Sequence, residues 1–150
     1  MSIHDIYNHK LIEFISNKRC DLSNSNLYDI DENLFIFTHL EVLDLSENFL
    51  VSVPENIQKL ENLKSLILSD NRIEKLPYSI GKLTQLENLY LAGNNLTTLP
   101  KSITQLQNLK WLGLIDNENL VLTCEQKIWI RSLEEKGCQI QFVRTHPIWM

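Results

Sequence analysis

The sequence predicts an α/β solenoid, in which short parallel strands stack into one sheet and helical segments line the opposite side. Three observations carry this prediction. Leucine recurs every 23 residues, at Leu40, Leu63, Leu86 and Leu109. With the same period, leucines follow three and five positions later and an asparagine eight positions later. Proline heads the same segment of each full unit, at Pro54, Pro77 and Pro100. Agreement across this many columns is typical of repeats that share one continuous core.

The pattern LxLxxN predicts the strand of each unit and the turn that follows it. Leu43 and Leu45 alternate with polar residues and therefore point to the same side of a short strand. The asparagine comes where the chain leaves the sheet, so its amide is expected to satisfy backbone groups from one coil to the next. These asparagines are Asn48, Asn71, Asn94 and Asn117.

Each proline begins a segment such as PENIQKL, which predicts a short helical turn because the ring fixes φ. Its isoleucine and leucine, Ile57 and Leu60 in that unit, are expected to face the strand leucines. Residues 17–39 form a degenerate first unit, where Cys20 replaces a strand leucine, Ser25 the asparagine and Asp31 the proline. Cys20 is predicted to be a small buried hydrophobe.

Both ends of the array need caps. Residues 1–16 predict an amphipathic capping helix that starts at Ser2 and carries one apolar stripe, formed by Ile3, Tyr7, Leu11, Phe14 and Ile15. Residues 121–150 predict a C-terminal cap. It begins with a helix from the Thr123–Gln126 capping box to Lys136, ending at Gly137. The buried side of that helix is predicted to hold Ile128, Trp129 and Leu133.

An edge strand over Gln139–Val143 is predicted to follow this helix. The apolar tail Pro147–Met150 is then expected to fold back over the end, or alternatively to promote self-association.

The consensus LxxLxLxxNxLxxLPxxIxxL resembles the leucine-rich repeat family, in its 23-residue intracellular form, clearly over residues 17–120. The resemblance implies a right-handed solenoid with a parallel sheet on its concave face, used mainly for protein–protein binding. The chain is therefore interpreted as one domain, with a capping helix (1–16), a degenerate repeat (17–39), regular repeats (40–120) and a C-terminal cap (121–150).

Composition argues against several other classes of protein. The net charge of −5 disfavours nucleic-acid binding, which needs clustered Lys and Arg. No apolar run reaches the ~18 residues of a membrane helix, and the first residues lack a signal peptide's apolar segment. Three cysteines favour a reduced, cytoplasmic protein, with a Cys124–Cys138 disulfide as the alternative. No cofactor, metal or enzymatic activity is predicted, because glycines and histidines are scattered outside any phosphate-binding or ligand motif.

Two groups of residues are the candidate partner-binding residues, because they are expected to project between the leucines. One is apolar and aromatic, with Tyr90 and Trp111 as the expected anchors, and consists of Ile67, Tyr90, Trp111 and Ile115. The other is an acidic start to the array, which consists of Asp21, Asp44, Glu41 and Glu47. Residues 1–47 hold three basic residues against nine acidic ones, so they could steer a basic partner.

The chain is interpreted as a protein-binding module, and the following alternatives are kept as hypotheses. The aromatic side chains could instead pack among themselves or under the C-terminal cap. The chain could also be a self-associating structural array, or an inhibitor of a particular enzyme. A face of six strands covers on the order of 400 Å². That is below the ~800 Å² that each partner buries in a standard interface.

Overall fold

The structure, a computed structural model, describes residues 16–142. The capping helix predicted for residues 1–16, apart from Ser16, and the tail predicted for 147–150 lie outside the described residues. So does Val143, the last residue of the predicted edge strand.

Six parallel strands form one sheet in chain order, which confirms the predicted solenoid. The strands are β1 (Arg19–Asp21), β2 (Val42–Asp44), β3 (Ser65–Ile67), β4 (Asn88–Tyr90), β5 (Trp111–Gly113) and β6 (Gln139–Gln141). The register pairs residues 23 apart from β1 to β5, for instance Leu43 with Leu66 and Leu66 with Leu89. One repeat therefore makes one coil.

Opposite the sheet, each proline-headed segment forms one turn of 3₁₀ helix. The helices are η1 (Glu32–Ile36), η2 (Glu55–Lys59), η3 (Tyr78–Lys82) and η4 (Lys101–Gln105). The prolines stand at the N-cap in extended conformation, immediately before the helical residues. In η1, the Asp31 carboxylate takes over this position and accepts a hydrogen bond from the Asn33 N–H at 2.9 Å. Ile57 and Leu60 are fully buried, as the pattern predicts.

The repeated asparagines join consecutive coils through backbone groups. The Asn71 Oδ1 accepts from the Leu50 N–H of the preceding coil at 3.0 Å. Its Nδ2 donates to the Leu45 carbonyl of that coil at 2.9 Å and to the Leu68 carbonyl of its own coil at 3.1 Å. Asn94 and Asn117 repeat this arrangement, so the predicted role of the asparagines is confirmed.

A column of left-handed residues lies one position before each repeated asparagine and, in the first unit, before Ser25. The residues with positive φ in this column are Asn24, Glu47, Asp70, Gly93 and Asp116. This conformation reverses the chain after each strand, and it favours Gly, Asn and Asp over other residues. Glu47, at φ 54°, is the one member of the column from outside that group.

Helix α1 (Cys124–Glu135) replaces the 3₁₀ turn in the last coil, and Thr123 and Gln126 form the predicted capping box. The prediction that Ile128 lies on its buried side is wrong, because Ile128 is 65% exposed. Gln126 occupies the inward position, and its Nε2 donates to the Leu99 carbonyl at 2.9 Å. Trp129, Ile130 and Leu133 follow Gln126 by three, four and seven residues, and therefore share its face.

Candidate functional site

The side of the sheet that faces away from the leucine core is called the strand face here. The central residue of each strand from β1 to β5 is buried in the core, and in β6 it is the partly buried Ile140. The residues on either side point outward and form two rows across the sheet. The first row is Arg19, Val42, Ser65, Asn88, Trp111 and Gln139, and the second is Asp21, Asp44, Ile67, Tyr90, Gly113 and Gln141.

Tyr90 and Trp111, called the aromatic platform here, lie on neighbouring strands and contact each other. Their ring centroids are 5.9 Å apart and their planes are inclined by 29°, so the rings are stacked. Both side chains remain partly exposed. The rings pack on each other, as one interpretation of these residues expects. They also stay partly exposed, as an anchor for a partner would require.

The absence of a side chain at Gly113 leaves room for the Trp111 indole. A Cβ placed on Gly113 would stand 3.4 Å from the Trp111 Nε1, so the indole leans over a position that has no side chain. The Nε1 is buried and has no hydrogen-bond partner among the described residues. The residue as a whole is partly exposed, so its exposed part does not include this nitrogen. Ile67, beside Tyr90 in the second row, and Ile115, just beyond Gly113, are also partly exposed.

The two aspartates of the acidic group are largely engaged within the protein. Asp21 accepts hydrogen bonds from the Ser23 N–H at 3.1 Å and the Ser23 hydroxyl at 2.7 Å. The bond from that hydroxyl is the main cause that lowers the pKa of Asp21. Asp44 binds Ser46 in the same way, and the Arg19 guanidinium lies 3.2 Å from its other oxygen. Asp44 was expected to project into solvent, but these partners leave it buried.

Glu41 belongs to a column of alternating charge beside the strands. The column consists of Lys18, Glu41, Lys64, Glu87 and Lys110. Glu41 forms ion pairs with Lys18 at 2.6 Å and with Lys64 at 2.9 Å. The hydrogen bond from Lys18 is the main cause that lowers the pKa of Glu41, and the bond from Lys64 is the second. The hydrogen bond between Lys64 and Glu41 also raises the pKa of Lys64. The alternation was visible in the sequence at the repeat period, but the sequence analysis missed it.

Glu47 is exposed on the turn beyond β2, within the left-handed column. The four acidic candidates therefore occupy three settings, namely a serine-capped strand end, a charge column and a turn. Asp21 and Asp44 are register partners on β1 and β2 and share the Arg19 guanidinium. The four apolar candidates lie on adjoining strands or just beyond them.

Residues 16–142 offer no metal-binding group and no membrane-spanning helix. There, no three His, Cys, Asp or Glu side chains are arranged to hold a metal ion. No helix in the same range is long and apolar enough to cross a membrane. Cys124 is exposed and Cys138 is buried, and each is a free thiol, so the structure does not contain the disulfide considered as an alternative. Burial raises the pKa of the Cys138 thiol to about 11.

Comparisons with known proteins agree with this architecture. The sequence model of a family described as a leucine-rich repeat region matches residues 14–137. No curated protein matches the chain by sequence. A solved leucine-rich repeat protein of Leptospira interrogans is similar, with a TM-score of 0.69 and 28% identity over 91% of this chain.

Two further solved structures share the fold. The leucine-rich repeat ectodomain of the receptor kinase SOBIR1 from Arabidopsis thaliana has a TM-score of 0.65 and 24% identity over 81% of this chain. An internalin from Listeria monocytogenes has a TM-score of 0.56 and 24% identity over 73% of this chain. The chain spans 38% of the Leptospira protein, 66% of the receptor ectodomain and 30% of the internalin.

Proposed function

This chain belongs to the leucine-rich repeat family, and from that membership we propose that it binds another protein through its strand face. Domains with this fold generally mediate protein–protein interaction. The observation that carries the proposal for this chain is the aromatic platform. Partly exposed Tyr and Trp side chains that lie next to each other on a protein surface are typical anchors of a binding interface.

The position of the platform supports this assignment. Tyr90 and Trp111 rise from strands β4 and β5, which have neighbouring strands on both sides. Their main chains are therefore fixed by the sheet, and the ring–ring contact restricts their rotamers before any partner arrives. A site organised in this way loses little conformational entropy on binding.

The size of the strand face limits the kind of partner that it can hold alone. Each strand is three residues long, which corresponds to a width of about 10 Å. The strands alone therefore offer a smaller area than the ~800 Å² that each partner buries in a standard interface. The proposed contact is therefore with a peptide segment, or with a larger protein that also touches the loops or caps.

Replacing Tyr90 and Trp111 together with alanine is expected to weaken partner binding by about a hundredfold, because truncated anchors typically cost more than 1 kcal/mol each. The array should stay folded, since both side chains lie outside the leucine core. Proteins that the wild-type chain captures from its source cell would be quantified by mass spectrometry. The dissociation constant of each specific partner would then be measured by calorimetry.

A matched control removes exposed apolar side chains from other surfaces. Tyr78 is 61% exposed on η3 and Ile128 is 65% exposed on α1. A double alanine variant at these two positions should bind like the wild type. If the two double variants bind every captured partner equally well, the strand face is not the binding site.

A further inference from the structure

We infer that the segment bound on the strand face is an uncharged, proline-rich stretch in polyproline II conformation, which runs across the strands over the aromatic platform. The inference rests on the proposed function and specifies its partner. Three features of the strand face carry it, namely its lack of charge from β3 onward, its spacing and the orientation of the indole.

The first feature is the absence of charge. In strands β3 to β6, the two outward rows consist of serine, isoleucine, asparagine, tyrosine, tryptophan, glycine and two glutamines. A charged segment laid there would lose hydration without gaining an ionic partner. The nearby charges Glu87 and Lys110 are paired with each other at 2.7 Å. The surface therefore favours an uncharged partner segment.

The second feature is the spacing of the strands. Polyproline II has three residues per turn and rises about 3.1 Å per residue, so the same edge of the segment recurs about every 9.3 Å. Strands lie about 4.8 Å apart, so every second strand recurs about every 9.6 Å. Tyr90 and Gln141 lie in the same row on β4 and β6, two strands apart. An extended β segment presents the same face about every 6.7 Å, which matches neither one strand interval nor two.

The strand face also offers hydrogen-bond donors to the carbonyl groups of such a segment. A polyproline II segment makes no internal hydrogen bonds, so its carbonyl groups are free to accept hydrogen bonds from a partner protein. Gln139 and Gln141 are exposed on β6, one strand beyond the platform. Their amides can donate to carbonyls of a segment whose proline rings rest on Tyr90 and Trp111.

The third feature is the orientation of Trp111. Its Nε1 is turned toward Gly113 and buried, so the N–H of the indole is not offered to a ligand. Flat packing of pyrrolidine rings on aromatic faces is how known domains hold proline-rich segments. On this geometry the aromatic ring of residue 111 contributes to binding, and its N–H does not contact the ligand.

The test uses decaproline and the whole chain labelled with ¹⁵N. We expect saturable shifts of the Trp111 side-chain N–H resonance, assigned by its loss in Trp111→Phe, below about 1 mM peptide. Affinities of the variants are measured at the main-chain N–H of Gly113, which all of them retain. Tyr90→Ala and Trp111→Ala should each weaken binding by more than about tenfold, whereas Trp111→Phe should stay within about threefold. Gln141→Ala, which leaves the platform intact, should weaken it several-fold. Tyr78→Ala is the matched control and should change nothing.

Several outcomes would overturn the inference. Absence of saturation at about 1 mM decaproline would do so, as would undiminished binding by the folded Trp111→Ala variant. Saturable shifts with cellohexaose in place of decaproline would instead identify a carbohydrate site. If captured partners still depend on Tyr90 and Trp111 while decaproline does not bind, the proposed function survives and only this inference fails.

Discussion

Replacing Asn48 with leucine is expected to lower the free energy of unfolding by about 3–5 kcal/mol, because it leaves several buried backbone groups of the first coil without partners. The Asn48 Oδ1 accepts from the Ser25 and Leu27 N–H groups, each at 3.0 Å. The Nδ2 donates to the Leu22 carbonyl at 2.9 Å. Leucine keeps the branched shape of asparagine but lacks its hydrogen-bonding groups, and the packing cost of its larger volume is shared by the same substitution at Asn71.

The same substitution at Asn71 should cost only about 2 kcal/mol, because neighbouring asparagines share its carbonyl partners. The Leu45 carbonyl also accepts from Asn48, and the Leu68 carbonyl also accepts from Asn94. Ser25 stands where the first unit lacks an asparagine, so the Leu22 carbonyl has no such second amide. The terminal asparagine thus contributes more than the central one.

Urea unfolding of the two variants would measure this difference, with Asn95→Leu as the control because Asn95 is exposed beside Asn94. Amide hydrogen exchange would locate the damage. In Asn48→Leu, protection at Leu22 and Leu27 should fall while protection at Leu91 persists. Equal losses at positions 48 and 71 would show that carbonyl sharing does not govern the stability of the ends.

Gly81→Ala is the second substitution with a large expected effect, a loss of about 3 kcal/mol in the free energy of unfolding. A Cβ on Gly81 would lie 2.3 Å from the Ser102 carbonyl oxygen and 2.7 Å from the Ser102 Cβ. Both residues belong to 3₁₀ turns, η3 and η4, that stack in consecutive coils. Relief of the clash requires one turn to move away from the other, because a backbone carbonyl cannot rotate aside as a side chain does.

Gly113→Ala is the matched control, since it makes the same chemical change in another buried glycine. A Cβ there meets no atom closer than 3.4 Å, so stability should change by less than about 1 kcal/mol. Thermal and urea unfolding of both variants would check the comparison. Similar melting temperatures for Gly81→Ala and Gly113→Ala would mean that the coils separate at little cost.

The repeat period predicted the fold well because stacking imposes the same period on the structure. Leu43 and Leu66 are paired in register since each coil uses one unit, and the Thr123–Gln126 capping box follows from local chemistry alone. The exposure of Ile128 was not predictable from apolar character. Gln126 faces inward from helix α1 because its amide donates a hydrogen bond to the Leu99 carbonyl of the preceding coil.

The candidate site was predicted less completely, because it depends on contacts between coils. The sequence identified Tyr90 and Trp111 as neighbours in adjoining strands, and the structure places them in contact. It gave no indication that the indole leans over Gly113, since this depends on side-chain rotamers. The burial of Asp44 was missed for the same reason, because Arg19 reaches it from the preceding coil.

The left-handed residue after each strand restricts which sequences can extend or replace a coil. Exposed positions usually tolerate most amino acids, because few neighbours constrain them. Here the main chain itself imposes a restriction, and four of the five residues in this column are Asn, Asp or Gly. Glu47 shows that another residue can adopt this conformation, but a designed or inserted 23-residue module is expected to be most stable with Asn, Asp or Gly there. Inspection of packing alone would allow nearly any choice at this solvent-facing site.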